Sequence, residues 1–198
     1  VKAAPSGKIL LPNIRSLKWR LIDELPLINP LLGPHIQSLE LSIDCDDKTL
    51  RSFLSQYSPD SLLHFDISYL GGGLERSPQI ISKVICQWSQ LRSLSVEQLT
   101  IAAFTHIAAF PDLQSLSVSK VILTPAAIVF PAFAFPALRS LVMGNHGMQF
   151  CIDVVEALSS CCLTDVTFQF HISSSEGKHV TDSLASTRTF IPPFVKST

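Results

Sequence analysis

The sequence predicts an α/β fold arranged as a solenoid of about seven irregular repeats, with a parallel sheet on the concave face and helices and loops on the convex face. Three observations predict it. The pattern apolar-x-x-apolar-x-apolar recurs seven times, beginning at Ile14, Ile36, Leu62, Leu91, Leu113, Leu138 and Leu163, at steps of 22, 26, 29, 22, 25 and 25 residues. Proline stands two residues before four of those starts, at Pro12, Pro34, Pro111 and Pro136. Because proline fixes its own φ and pushes the preceding residue toward extended geometry, it ends a return segment and feeds a strand. Finally, polar and apolar residues alternate in Ser93-Leu94-Ser95-Val96-Glu97 and in Ser115-Leu116-Ser117-Val118-Ser119. Alternation means one face buried and one in water, whereas a sheet covered on both faces reads as a continuous apolar run.

Taken in order, the strands are carried by Ile14/Leu17/Trp19, Ile36/Leu39/Leu41, Leu62/Phe65/Ile67, Leu91/Leu94/Val96, Leu113/Leu116/Val118, Leu138/Leu141/Met143 and Leu163/Val166/Phe168. Segments near 48–56, 78–88, 101–110 and 152–160 space their apolar residues as a helix does, for example Ile80, Ile81, Val84 and Ile85. These are the returns, and their apolar stripes are core. The longest step contains Gly71-Gly72-Gly73, which reads as a flexible insertion. Residues 121–138 run for eighteen positions without a charge, just the length of a membrane span. Pro125, Pro131 and Pro136 would break such a helix, so no membrane is expected. The solenoid is assigned to residues 1–172. Residues 173–198 are polar and expected to be flexible, with one apolar patch at 190–195 in which Pro192 and Pro193 prevent a helix. That patch either docks on the last repeat or flanks a further segment.

Composition narrows the function classes. A 46% hydrophobic chain with 16% charged residues must bury much of itself and is not disordered. The net charge of -1 supplies no electrostatic excess for nucleic acid or an anionic membrane. Cys45, Cys86, Cys151, Cys161 and Cys162 are odd in number and irregular in spacing, unlike a secreted disulfide framework. A cytoplasmic or nuclear setting is expected. The sequence starts at Val1 without methionine, as a processed chain or a fragment would.

Chemistry-bearing constellations are few. The Gly71-Gly72-Gly73 loop, between a strand ending near Tyr69 and a helix opening at Ser77-Pro78, imitates a nucleotide-binding turn, and Glu97 sits where a dinucleotide fold places its ribose-binding acid. However, G-x-G-x-x-G requires glycine where Arg76 stands, and the Walker phosphate loop is absent. A nucleotide-binding α/β enzyme using that loop is the alternative reading, and a structural fragment without independent activity is another. His146, Cys151, Cys161, Cys162 and His171 fall within 26 residues but lack paired-ligand spacing, so buried cysteines filling small apolar gaps are expected and no metal or other cofactor is. Neither G-x-S-x-G nor a Ser/His/Asp or Cys/His arrangement can be placed, so no catalytic residue is assigned.

Every repeat step falls in the window of about 20–29 residues of leucine-rich repeats. The units Phe110-Pro-Asp-Leu-Gln-Ser-Leu-Ser-Val118 and Phe135-Pro-Ala-Leu-Arg-Ser-Leu-Val-Met143 share one motif, aromatic-P-x-L-x-S-L-x-apolar, from which Trp88-Ser-Gln-Leu-Arg-Ser-Leu-Ser-Val96 differs mainly by serine for proline. Over residues 9–172 this motif resembles the leucine-rich-repeat region of fungal F-box-type proteins. The resemblance implies a repeat surface that receives a protein substrate of a ubiquitin ligase. A Skp1-type adaptor is implied only if an N-terminal F-box exists; Leu25-Pro26 begins a similar stretch, but Pro30 and Pro34 interrupt the helices that box requires. The position eight residues after each start, Asn or Cys in regular repeats, is here Ile22, Asp44, Leu70, Leu99, Val121, His146 and His171, which predicts irregular loops.

The expected function is therefore protein recognition without catalysis, on the concave sheet face. Subtracting the core leaves a serine column, Ser16, Ser38, Ser93, Ser115 and Ser140, completed by His64 and Asp165. Side chains that can set specificity lie toward the N-terminal half, and the candidate protein-binding residues are Lys18, Arg20, Glu40, His64, Asp66 and Glu97. The plain alternative is that these charges only keep the sheet soluble.

Overall fold

A computed structural model describes residues 11–22, 35–55, 61–69, 78–124, 128–144, 146–158 and 161–169. The Leu25-Pro26 stretch, the Gly71-Gly72-Gly73 loop and the tail at 173–198 lie outside the described residues. The described residues form seven strands, β1 (Ser16–Ile22), β2 (Ser38–Asp44), β3 (His64–Tyr69), β4 (Ser93–Thr100), β5 (Ser115–Ile122), β6 (Ser140–Gly144) and β7 (Asp165–Gln169). Among the described residues there are four helices, α1 (Asp47–Leu54), α2 (Pro78–Ile85), α3 (Ile101–Ile107) and α4 (Met148–Ala157). All strand pairings are parallel, and the sheet runs β1 to β7 in chain order without closing on itself. The fold is thus α/β with a parallel sheet, as the repeat pattern predicts.

The register is the one the apolar pattern dictates. Leu17, Leu39, Phe65, Leu94, Leu116, Leu141 and Val166 stand side by side across the seven strands, and two residues on Trp19, Leu41, Ile67, Val96, Val118, Met143 and Phe168 do the same. Both columns face one side, since side chains two residues apart on a strand share a face. From β2 to β6 their members are at most 4% exposed. They join the buried faces of the helices, such as Leu50, Ile81, Phe104 and Val154, in one core.

Strand entry explains why steps of unequal length still yield one register. The N–H of Ile14, Leu91 and Leu138 donates to the carbonyl three residues back, on Leu11, Trp88 and Phe135. This is a tight turn whose second position is Pro12, Ser89 or Pro136, the position where proline is pre-organised. One residue after each start, a single carbonyl then accepts two successive N–H groups of the next strand's entry. Arg15, Gln37, Leu63, Arg92, Gln114 and Arg139 each do so, at 2.8–3.1 Å. This backbone clamp acts at all six junctions and does not depend on the Asn or Cys ladder that the sequence lacks.

The returns differ more than their entries. Helix α1 opens on Asp46, whose carboxylate accepts from the Thr49 N–H at 2.7 Å; that hydrogen bond holds the Asp46 pKa below its ordinary value. Helix α3 is capped likewise by Thr100, and the Thr100 N–H donates to the Oγ of buried Ser82 on α2, which ties one return to the next. Helix α2 starts at Pro78, as its missing N–H favours. Helix α4 begins at Met148, four residues before the expected 152, supported by an i,i+4 hydrogen bond from Gln149 to Asp153. Between β5 and β6, residues 128–138 form turns and no helix. There Phe135 takes φ 55 while fully buried, and its N–H donates to the Ala108 carbonyl. A left-handed conformation costs a non-glycine residue about 1–2 kcal/mol. Burying the ring beside Phe104, at 5.6 Å between centroids, offsets it.

Cys45 and Cys151 are buried as expected, Cys86 and Cys161 are half-buried, and Cys162 is exposed, contrary to expectation. None of the five is in a disulfide. Burial pushes the Cys86 and Cys151 thiols up, away from the thiolate form that reacts or binds metal. Among the described residues no three His, Cys, Asp or Glu side chains converge as metal ligands, and no helix is long and apolar enough to cross a membrane.

Candidate functional site

The sheet face opposite the core is lined by aligned columns. Ser16, Ser38, His64, Ser93, Ser115, Ser140 and Asp165 form the first, and Lys18, Glu40, Asp66, Ser95, Ser117, Val142 and Thr167 the second. All fourteen are exposed or half-buried, whereas the apolar columns between them are buried from β2 to β6. Strand geometry alone creates this surface, because a parallel register places identical positions about 4.8 Å apart from strand to strand.

Four of the six predicted residues come together. Lys18, Glu40 and Asp66 occupy successive strands of one column, and His64 lies two residues before Asp66 on the same face. Lys18 and Glu40 form an ion pair, with 62% and 40% of their side-chain surfaces exposed. Such an exposed pair contributes at most about 1 kcal/mol to stability. Glu40 thus stands between a cation and a second carboxylate, directly opposite Asp66, and Asp66 has no ion pair among the described residues. Like charges facing each other across strands are unfavourable, so Asp66 leaves this edge of the patch with an excess of negative charge. Arg20, exposed, extends the patch two residues along β1 beside Ser42, whose own hydroxyl is buried against Ser68 Oγ at 3.0 Å.

Glu97 stands apart from the other five. Its carboxylate accepts the Tyr69 N–H at 2.9 Å, just past the last β3–β4 pair at Ile67 and Val96. It caps the end of β3, a task that the sequence pattern does not reveal. At the same place the alternation slips: Glu97 and Gln98 on β4, and Ser119 and Lys120 on β5, are consecutive outward residues before buried Leu99 and Val121.

The C-terminal half of the face is smooth. Ser93, Ser95, Ser115, Ser117, Ser140 and Val142 are half-buried small residues, and at Gly144 an added Cβ would sit 3.3 Å from the Ser119 carbonyl oxygen. The residues one position after each start add a polar rim that the column argument overlooked, with Arg15, Gln37, Arg92, Gln114 and Arg139 all exposed. Its signal is the same repeat, read one position earlier.

Away from this face, His146 lies beside helix α4. Its Nε2 is buried without a hydrogen-bond partner, and its ring lies 5.1 Å from that of Phe150. Burial lowers its pKa below the ordinary 6.5, opposed by a hydrogen bond to the Val118 backbone. A depressed folded pKa means the unfolded chain takes up the proton first, so the contribution is present above pH 6.5 and is lost as pH falls below it. Thermal melts between about pH 7.5 and about pH 5.5 are expected to show a smaller acid-side loss of stability for His146→Gln than for wild type. Parallel pH profiles for the two would contradict the assignment. Comparison of the chain with protein-family models, with curated proteins and with solved structures gives no match.

Proposed function

We propose that this chain is a non-catalytic protein-recognition scaffold, a leucine-rich-repeat solenoid that binds a protein partner on its open, concave sheet face. One observation carries the reading: seven strands stack in chain order with aligned outward columns whose side chains have no core duty. The strand order never reverses among the described residues, so it offers no switch-point crevice of the kind in which doubly wound sheets bind nucleotides. In its most specific form, resting on the motif resemblance, the chain is the substrate-binding repeat region of an F-box-type ubiquitin-ligase receptor, with a Skp1-type adaptor engaged only through an F-box elsewhere in the full protein.

The patch of Lys18, Arg20, Glu40, His64 and Asp66 sets register and specificity, while the small C-terminal residues admit a partner's backbone or apolar anchors closely. Quantitative affinity capture tests this. Glu40→Lys combined with Asp66→Lys is expected to reduce recovery of the captured partner set at least tenfold, whereas Lys83→Glu on α2 leaves it unchanged. All three positions lie outside the core, so melting should change little. Equal recovery by both variants, or saturable binding of ATP or NAD to the wild-type chain, would contradict the reading.

A further inference from the structure

The strand-entry edge of the open face carries positive charge over its C-terminal half. Arg92, Gln114 and Arg139 hold the same repeat position at the entries of β4, β5 and β6, one residue before Ser93, Ser115 and Ser140 of the serine column. All three are exposed, and their backbone is fixed, because each carbonyl accepts two N–H groups of the next unit at 2.8–3.0 Å. Neither arginine forms an ion pair with a carboxylate among the described residues. The acids nearest in sequence and register are Asp112 and Asp165, and Asp165 Oδ2 accepts a hydrogen bond from Thr164 Oγ1 at 2.8 Å. The excess negative charge of the face lies elsewhere, at Glu40 and Asp66 on β2 and β3.

We propose that Arg92, Gln114 and Arg139 bind an acidic segment of the protein partner, laid across the entries of β4 to β6 in extended form with two carboxylates three residues apart. The proposal rests on the open-face reading and states the chemistry of what that face takes. Spacing supports it: two strand steps put the arginine backbones roughly 10 Å apart, and a polyproline II segment returns to the same face after three residues, about 9 Å. Each guanidinium can donate two parallel N–H bonds to one carboxylate, and the Gln114 amide between them can bond the segment's backbone. The small side chains of Ser93, Ser115 and Ser140 leave room for that backbone to approach. A nucleic acid fits this face poorly. Its outward columns carry no Phe, Tyr or Trp on which bases could stack, and Glu40 and Asp66 repel phosphates.

Fluorescein-labelled poly-L-glutamate, followed by anisotropy at about 50 mM salt, tests the proposal on the full chain. Wild type is expected to bind it saturably. Arg92→Glu with Arg139→Glu should weaken binding at least tenfold with an unchanged melt. Lys48→Glu with Lys83→Glu, which makes the same change of net charge on the convex helices α1 and α2, should leave binding within about twofold, because screening confines the effect to nearby charges. Equal weakening by the two double variants, absence of saturable binding by wild type, or tighter binding of a single-stranded oligothymidine would overturn the proposal. Its failure is separable from that of the open face. If cysteines at Ser93 and Ser115 label rapidly in the native chain while poly-L-glutamate binding ignores the two arginines, the face is open and only the acidic partner is wrong.

Discussion

Leu116→Asp is expected to abolish cooperative folding, while Ser117→Asp, one residue away, leaves the melt nearly unchanged. Leu116 is fully buried on the interior strand β5, between Leu94 and Leu141. An aspartate there has no partner, and burying an uncompensated carboxylate costs several kcal/mol on top of the lost leucine packing. That is comparable with the entire stability of a typical domain, about 5–15 kcal/mol. Ser117 points to the other face, half-buried between Ser95 and Val142, where a carboxylate keeps its water. Circular dichroism melts of the two variants read the difference, and equal melts would contradict the register.

The second large effect lies in the return layer. Phe104 on α3 is fully buried, and its ring centroid lies 6.1 Å from that of Phe130, 5.6 Å from that of Phe135 and 5.8 Å from that of Phe150. It joins three successive returns, including the one whose described residues form no helix and hold Phe135 at positive φ. Phe104→Ala is expected to cost about 3–5 kcal/mol, counting the cavity it leaves, and to lower Tm by roughly 10–15 °C. Phe104→Leu, which keeps most of the volume, should cost about 1–2 kcal/mol. Denaturant titration measures both. A loss below about 1 kcal/mol for alanine would mean that the return layer is not packed as described.

The strands and their register were legible because an apolar side chain at the fourth and sixth positions of each unit has only one place to go. Leu94 and Val96 must face the core, and the parallel neighbours Leu116 and Val118 then stand beside them. The ion pair of Lys18 with Glu40 follows from that register, although neither sequence position alone announces it. What stayed hidden depends on local backbone detail. Glu97 looked like an outward charge, but β3–β4 pairing stops short of Tyr69 and leaves a backbone N–H for its carboxylate. The early start of α4 escaped notice although Phe150 and Cys151 of its first turn are buried, because Gly147 at its N-cap offers no capping side chain to mark it. Phe135 matches Phe110 and Trp88 in the motif, and nothing in the residue type foretells its positive φ. In the site, the columns could be read from the pattern, but which charges are already satisfied could not.

The outward columns of the sheet are open and mostly polar, while the columns between them are core. Thiol labelling located by mass spectrometry tests it directly. Single cysteines placed at Ser38, Ser93, Ser115 and Ser140 should react in the native chain within about tenfold of the rate of an unfolded control, whereas cysteines at Leu39, Leu94 and Leu141 should react only as fast as global unfolding allows. Slow labelling of the serine column, equal to that of the leucine column, would mean that a second layer covers the sheet and would contradict the open-face account.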